Sequence, residues 1–136
     1  MKTVKELTSE EKLRLLCGRG NWHTEDFEGS LERVRMTDAS MGIRMPLDPN
    51  EWQDDRPSIA YPSMQILANT WNTEVVRGYA ECVADDCLDA GADVVLGPGV
   101  NIKRDPLCGR NFEYLSEDPF LAGVMGREYI SAMQEE

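Results

Sequence analysis

Residues 97–119 read Gly97-Pro98-Gly99-Val100-Asn101-Ile102-Lys103-Arg104-Asp105-Pro106-Leu107-Cys108-Gly109-Arg110-Asn111-Phe112-Glu113-Tyr114-Leu115-Ser116-Glu117-Asp118-Pro119. The stretch follows an apolar run at 93–96 and precedes a predicted helix that begins near Phe120. A connection of about 23 residues far exceeds the 2–6 usual between a strand and a helix, and such loops are mostly functional or disordered. We expect order, because the loop has apolar anchors: Ile102, Leu107, Phe112, Tyr114 and Leu115. An ordered, charged loop after a buried strand is typical of a binding site in an α/β protein.

The rest of the chain predicts alternating strands and helices. A short strand is expected at 34–37, followed by a turn that contains Asp38. An amphipathic helix is expected over 73–90, opened by Trp71-Asn72-Thr73 and closed by Gly91, with a continuously apolar strand at 93–96 after it. The order strand, helix, strand, helix indicates an α/β architecture.

The N-terminal part predicts one more helix between two irregular regions. Thr8 and Glu11 form a capping box, and Gly18 is expected to end that helix. Its apolar face is predicted from Leu13, Leu15 and Leu16. Residues 19–31 and the proline-rich stretch 44–63 are expected to be irregular surface segments. Among the three tryptophans, Trp71 is expected in the core, and buried packing is also the default for Trp22 and Trp52.

Composition narrows the classes of function. The chain has 136 residues and a formal net charge of −11, which disfavours nucleic acid and anionic membrane surfaces as partners. No apolar run long enough to cross a membrane is present, and the start of the chain lacks the apolar core of a signal peptide, so a cytoplasmic location is expected. The four cysteines are expected to be free, buried thiols. No cofactor is expected, and Cys82 and Cys87 lie on different faces of their helix, which argues against a metal pair.

Several segments together resemble one known family. The loop supplies 101–104, 109–114 and 116–119. Other segments follow in family order: Leu7-Thr8, Thr37-Asp38, Gly42-Ile43-Arg44, Tyr61-Pro62-Ser63, Leu67-Ala68 and Thr70-Trp71. This pattern resembles glycoside hydrolase family 3, which includes β-glucosidases and related exo-acting enzymes. The resemblance implies that residues 1–136 are the N-terminal fragment of the family's barrel domain, with no internal boundary.

The implied fold is a partial (β/α)8 TIM-type barrel. It would comprise about two βα units together with the N-terminal helix and the long loops. Two strands cannot close a barrel that needs eight, and a two-stranded parallel sheet is a poor independent unit. The remainder of the barrel, or another chain, is therefore expected to be needed for stability.

Asp38 is the first candidate site residue. A carboxylate just past a strand end can accept hydrogen bonds from two adjacent sugar hydroxyls, but an Asp before a glycine also fits an Asx-turn or a helix cap. The resemblance implies the first role, since the family's Thr-Asp-Gly-type motif binds hydroxyls of the terminal sugar. Ala39 departs from that motif, which usually has glycine there.

Arg110 is the second candidate. Its guanidinium could bridge sugar hydroxyls or form a salt bridge within the loop to Glu113, Glu117 or Asp118. The resemblance implies that the Arg of Gly-Arg-Asn-Phe-Glu lines the site for the terminal sugar (the glycone). Lys103, Arg104 and Glu113 are expected to support the loop, and Glu117 and Asp118 to stabilise the start of the following helix.

The predicted function is hydrolysis of a terminal β-linked sugar by a retaining, β-glucosidase-like enzyme. Such enzymes need two carboxyl groups, one as nucleophile and one as general acid/base. No segment matches the family's nucleophile, its acid/base or its Lys-His pair, so no catalytic residue is assigned and the isolated chain is predicted to be inactive. The alternative is a non-catalytic sugar-binding or interaction module that uses the same Asp38/Arg110 pocket.

Overall fold

A computed structural model describes residues 3–20, 22–27, 33–45 and 56–135. The helices are α1 (Ser9–Cys17), α2 (Met64–Ala68), α3 (Thr73–Ala90) and α4 (Pro119–Glu135), and the strands are β1 (Met36–Asp38) and β2 (Val94–Leu96). Two single 3-10 turns add Val4–Glu6 and Asn111–Glu113. The predicted α/β class is confirmed.

The two strands are parallel neighbours, as the sequence predicted. Met36 pairs with Val94, Thr37 with Val95 and Asp38 with Leu96. The first strand was predicted one to two residues too early, because Asp38 is its last residue and not part of the turn.

Two residues before β1, which begins at Met36, Val34 bonds to Thr24 on the other side of the chain. Thr24 donates its backbone N–H to Val34 O at 2.9 Å, and Val34 N donates to Thr24 Oγ1 at 3.0 Å. Val34 is therefore bonded away from β2. The 19–31 segment was expected to be irregular, and its described part has no helix or strand, but it is tied to the strand by the bond from Met36 N to Trp22 O, at 2.7 Å.

Helix ends follow the predicted local chemistry. Glu11 N donates to Thr8 Oγ1 at 3.2 Å and Thr8 N donates to Glu11 Oε2 at 2.7 Å, which is the predicted capping box. Asn72 caps α3 by accepting from Glu74 N at 2.9 Å. Gly91 ends α3 at φ 71°, a left-handed conformation that favours glycine.

The core forms where α3, α4 and α2 pack against one another and against the strand pair. Its largest fully buried side chains include Tyr129, Met64, Leu115 and Met125. The rings of Tyr79 and Tyr129 meet between α3 and α4, with centroids 6.0 Å apart. This packing holds α3 and α4 together, and Val95 of β2 packs against the same cluster.

Several side chains predicted to be buried are exposed. Leu13 and Leu16 of α1 are both exposed, so the predicted apolar face of that helix is uncovered within the described residues. The prediction that Trp71 lies in the core is wrong, since 74% of it is exposed. Its φ is 53°, because the chain turns from α2 into α3 within four residues and Trp71 N bonds back to Ala68 O. Trp22 is buried, and Trp52 lies outside the described residues.

The structure also bears on the predictions for the proline-rich segment, the cysteines and membrane spans, within the described residues. Residues 56–63 of the proline-rich segment form no helix or strand, and 46–55 lie outside the described residues. All four cysteines are free, but only Cys87 is buried, so the expectation of burial is wrong for Cys17, Cys82 and Cys108. No helix in the described ranges has the length and apolarity to span a membrane.

A network of charges joins α3 to α4. Arg77 Nε lies 2.7 Å from Glu128 Oε1, and Arg77 Nη1 lies 2.7 Å from Glu135 Oε2. The hydrogen bond and the charge of Arg77 lower the pKa of Glu135. One cation thus links two positions of α4 to the second turn of α3.

We expect Arg77→Gln to reduce the stability of the α3–α4 pair slightly, because ion pairs exposed to solvent contribute little. Because the pKa of Glu135 is lowered on folding, this contribution is present above the ordinary carboxylate pKa and is lost as pH falls through the lowered value. Thermal unfolding of the full natural protein at neutral and acid pH measures both effects. Arg127→Gln on the exposed side of α4 is the matched control, and equal midpoints for the two variants at neutral pH would contradict the prediction.

Candidate functional site

A polar pocket lies at the carboxyl ends of β1 and β2. Its volume is about 310 Å³. Its described lining comes from the end of β1, the end of β2 and the long loop: Asp38, Ser40, Leu96, Gly97, Pro98, Gly99, Asn101, Arg110, Glu113 and Tyr114. Parallel strands end at the same edge, so the loops that follow them meet there. Asp38 and Arg110, which the sequence singled out separately, line this one pocket.

Asp38 has an exposed carboxylate at the strand end. Its backbone O accepts from Arg44 N at 2.9 Å, which ties the strand to the returning chain. Thr37 supports this turn, since its Oγ1 donates to Arg44 O at 2.9 Å. Within the described residues the Asp38 carboxylate accepts no hydrogen bond, so neither an Asx-turn nor a helix cap uses it.

The turn after Asp38 accommodates the departure from the family motif. The Ala39 side chain is fully buried and belongs to the core cluster. Gly42 has φ 112°, and a Cβ there would lie 2.1 Å from Ile59 O. The turn therefore requires glycine at position 42, whereas position 39 accommodates a small apolar side chain.

Arg110 is paired inside the loop. Its Nε donates to Glu113 Oε1. The hydrogen bond and charge of Glu113, followed by Tyr114 and Asp38, raise the pKa of the Arg110 guanidinium. The salt-bridge alternative from the sequence is therefore present, and it coexists with a position on the pocket wall.

The long loop folds back on itself at Gly99. Leu115 N donates to Gly99 O at 3.0 Å, and Gly99 forms a parallel bridge with Tyr114. A Cβ on Gly99 would lie 2.3 Å from Glu113 O. The two ends of the loop therefore approach so closely at this point that only glycine fits. Leu115 is buried in the core, and this closure holds Arg110 and Glu113 beside β2.

The predicted apolar anchors of the loop are mostly wrong. Leu115 is 2% exposed, but Ile102, Phe112 and above all Leu107, at 90%, are exposed. Order comes instead from polar turns. Asp105 Oδ1 accepts from Leu107 N at 2.9 Å, and Asn111 Nδ2 donates to Asp105 O at 2.8 Å.

The remaining charged residues of the loop lie away from the described pocket lining. Asp118 Oδ1 accepts from Phe120 N at 3.0 Å, a contact with the first turn of α4 that fits the structural role expected for it. Lys103 is half-buried, and burial, opposed by the charge of Glu117, lowers the pKa of its ammonium. Arg104 is exposed. Their support of the loop stays a prediction.

Three polar side chains of the lining were not predicted as site residues from the sequence: Ser40, Asn101 and Tyr114. Tyr114 was interpreted only as an apolar anchor. Ser40 and Asn101 carry a signal in hindsight, since each lies within a few residues of a strand end. In the described ranges, no group of three or more His, Cys, Asp and Glu side chains could hold a metal ion.

Comparison with known proteins decides the family. Residues 24–136 match the model described as "Glycosyl hydrolase family 3 N terminal domain". The chain belongs to glycosyl hydrolase family 3. This confirms the resemblance that the loop motifs carried.

Two relatives of this family 3 chain are much longer proteins. Thermostable beta-glucosidase B of Acetivibrio thermocellus is 37% identical over 139 residues, which is 99% of this chain and 18% of the relative. An exo-alpha-(1->6)-L-arabinopyranosidase of Bifidobacterium longum is 40% identical over 126 residues, 89% of this chain and 17% of the relative. The chain thus spans less than a fifth of the relatives' length.

Solved structures resemble the fold closely. A β-glucosidase from Kluyveromyces marxianus in complex with glucose superposes with a TM-score of 0.87 at 35% identity, over 96% of this chain and 15% of that one. Beta-glucosidase 3B from Thermotoga neapolitana, in complex with alpha-D-glucose, gives a TM-score of 0.82 at 30% identity, over 96% and 21% of the two chains. The two-stranded arrangement of this family 3 chain is therefore shared with larger β-glucosidases.

We expect Gly99→Ala to disrupt the pocket, because its methyl group would collide with the backbone of Glu113 and open the loop. Limited tryptic cleavage at Lys103 and Arg104 in the full natural protein should become faster, with little change in the helix content measured by circular dichroism. Gly109→Ala in the same loop is the matched control, because a Cβ at Gly109 has no neighbour within 4 Å. Equal cleavage rates for the two variants would show that the contact at Gly99 does not hold the loop closed.

Proposed function

We propose that this chain forms part of the glycone-binding site of an exo-acting, retaining, β-glucosidase-type hydrolase. The observation that carries the proposal is the convergence of Asp38 and Arg110 on one polar pocket at the carboxyl ends of β1 and β2, in a family 3 chain. Asp38 and Arg110 bind hydroxyl groups of the terminal sugar in this proposal.

The chemistry of the pocket suits a neutral polyhydroxyl ligand. The Asp38 carboxylate accepts hydrogen bonds, and Arg110 has N–H groups besides Nε to donate them. Adjacent hydroxyls on a sugar ring can donate to one group and accept from the other. The described lining has two carboxylates against one guanidinium, so a sugar that carries its own carboxylate would meet a like charge.

The pocket does not supply the catalytic pair. A retaining glycosidase needs a nucleophile and a proton donor about 5–5.5 Å apart, each free to react. Of the two carboxylates in the described lining, Glu113 is paired with Arg110 and Asp38 is assigned to hydroxyl binding. Both catalytic carboxyl groups are therefore proposed to come from outside residues 1–136.

Among the described residues β2 pairs on one edge with β1 and has no strand on the other, which supports completion of the barrel by further strands. Val94 is 40% exposed and Leu96 is 53% exposed on this strand. A cavity of about 320 Å³ lies beside it, lined by β2 residues and by Tyr129, Ile130 and Met133 of α4. An unpaired, apolar strand edge favours association, so we propose that the remainder of the barrel, or another chain, covers it.

The sugar-binding role predicts the effect of removing the Asp38 charge. Asp38→Asn in the full natural protein keeps the size of the side chain but removes a charged acceptor, so glucose affinity should fall about tenfold or more. Calorimetric titration measures this change. Asp85→Asn on the exposed face of α3 is the matched control. Unchanged affinity in Asp38→Asn would remove Asp38 from the site.

The missing catalytic pair predicts the behaviour of residues 1–136 in isolation. The purified chain should associate or melt without a cooperative transition, and it should not release nitrophenol from an aryl β-glucoside. Asp38→Ala controls for contaminating hydrolases. Turnover that disappears in Asp38→Ala would show that the chain itself completes a working site.

Sugar binding without hydrolysis by the full natural protein would favour a non-catalytic module over a hydrolase.

A further inference from the structure

We propose that Glu113 is a positioning residue for Arg110, and that it keeps the proposed glycone site selective for neutral sugars. The inference rests on the proposed function of the pocket. It concerns how one side chain acts through another, because Glu113 holds the guanidinium by Nε and leaves the Nη groups of Arg110 for a ligand.

The two partners differ strongly in exposure. The Arg110 side chain is 72% exposed, whereas the Glu113 side chain is 14% exposed. A long, exposed arginine samples many rotamers, and a ligand that needs one of them must restrict the others. A carboxylate fixed beside Nε restricts them before the ligand arrives.

Glu113 is itself held by the loop. Its backbone N–H donates to Arg110 O at 3.2 Å, so both residues belong to the same 3-10 turn. Its carbonyl lies against Gly99, where a Cβ would come within 2.3 Å. The loop closure thus fixes the backbone that carries the carboxylate.

The remaining groups of Arg110 are available to a ligand. Across the described residues, Nε is the only Arg110 side-chain atom with a protein hydrogen bond or ion pair. Asp38 acts on Arg110 through its charge and lines the same pocket. A sugar hydroxyl between them would meet an acceptor on one side and oriented donors on the other.

Glu113 also balances charge. The carboxylate of Glu113 and the guanidinium of Arg110 together have no net charge. The pair therefore offers oriented N–H donors to a ligand without attracting an anion. Removing the Glu113 charge would leave Asp38 as the one carboxylate of the described lining, so the pocket would be less negative by one charge and would repel an anionic sugar less. Glucuronate differs from glucose by a carboxylate, so the ratio of the two affinities depends on the charge of the pocket. A variant that only distorts the loop would weaken the binding of both ligands and leave this ratio unchanged.

The test is a double-mutant cycle in the full natural protein. Wild type, Glu113→Gln, Arg110→Ala and the double variant are titrated with glucose and with glucuronate. Glu113→Gln is expected to weaken glucose binding about fivefold and to raise glucuronate affinity relative to glucose. In the Arg110→Ala background the same change is expected to have no further effect, because Glu113 acts through Arg110.

Two further variants guard the interpretation. Glu117→Gln makes the same charge change at an exposed position of the loop and should leave both affinities unchanged. Glu113→Asp keeps the charge but withdraws it by one methylene. Its glucose affinity should lie between wild type and Glu113→Gln, which provides a test if Glu113→Gln does not fold.

Each contrary result has a distinct meaning. An equal loss from Glu113→Gln in both backgrounds would overturn the positioning role, since Glu113 would then act on the sugar directly. Unchanged affinities in Glu113→Gln, with Arg110→Ala impaired, would overturn it while the proposed function stands. Absence of glucose binding by wild type, or full affinity in Arg110→Ala, would overturn both.

Discussion

The parallel pairing of β1 with β2 is the constraint on which the rest of the structure depends. Side chains alternate between the two faces of a sheet, so a slip of one residue would turn Asp38 to the opposite face. Arg35, just before β1, resists such a slip, because its N donates to Asp93 Oδ2 at 2.7 Å and its O accepts from Val94 N at 3.0 Å. The register that places Asp38 opposite Leu96 therefore also places two loops side by side.

Local chemistry explains why much of the fold could be predicted from the sequence. The Thr8–Glu11 capping box, the Asn72 cap and the left-handed Gly91 act over one helical turn, so each is visible in a few adjacent residues. The pocket position could also be predicted, since Asp38 ends one strand and the loop that carries Arg110 follows the other. The role of these residues in sugar binding stays a prediction.

The failures concern contacts between segments that are distant in sequence. Periodicity shows which face of a helix is apolar, but not whether another segment covers it, and Leu13 and Leu16 are exposed for that reason. Backbone geometry turns Trp71 outward, which no composition rule anticipates. Likewise, the order of the long loop rests on Gly99 meeting Leu115 and on polar turns, while most of its predicted apolar anchors face solvent.

The positions of the cysteines allow a fluorophore to be attached selectively to the long loop. Cys108 is exposed two residues from Arg110, whereas burial, with the charge of Asp86, raises the pKa of the Cys87 thiol to about 11. Alkylating dyes react with thiolates, so Cys87 stays silent at neutral pH. Once Cys17 and Cys82 are replaced by serine, a maleimide fluorophore attached to Cys108 would report on the surroundings of the long loop alone.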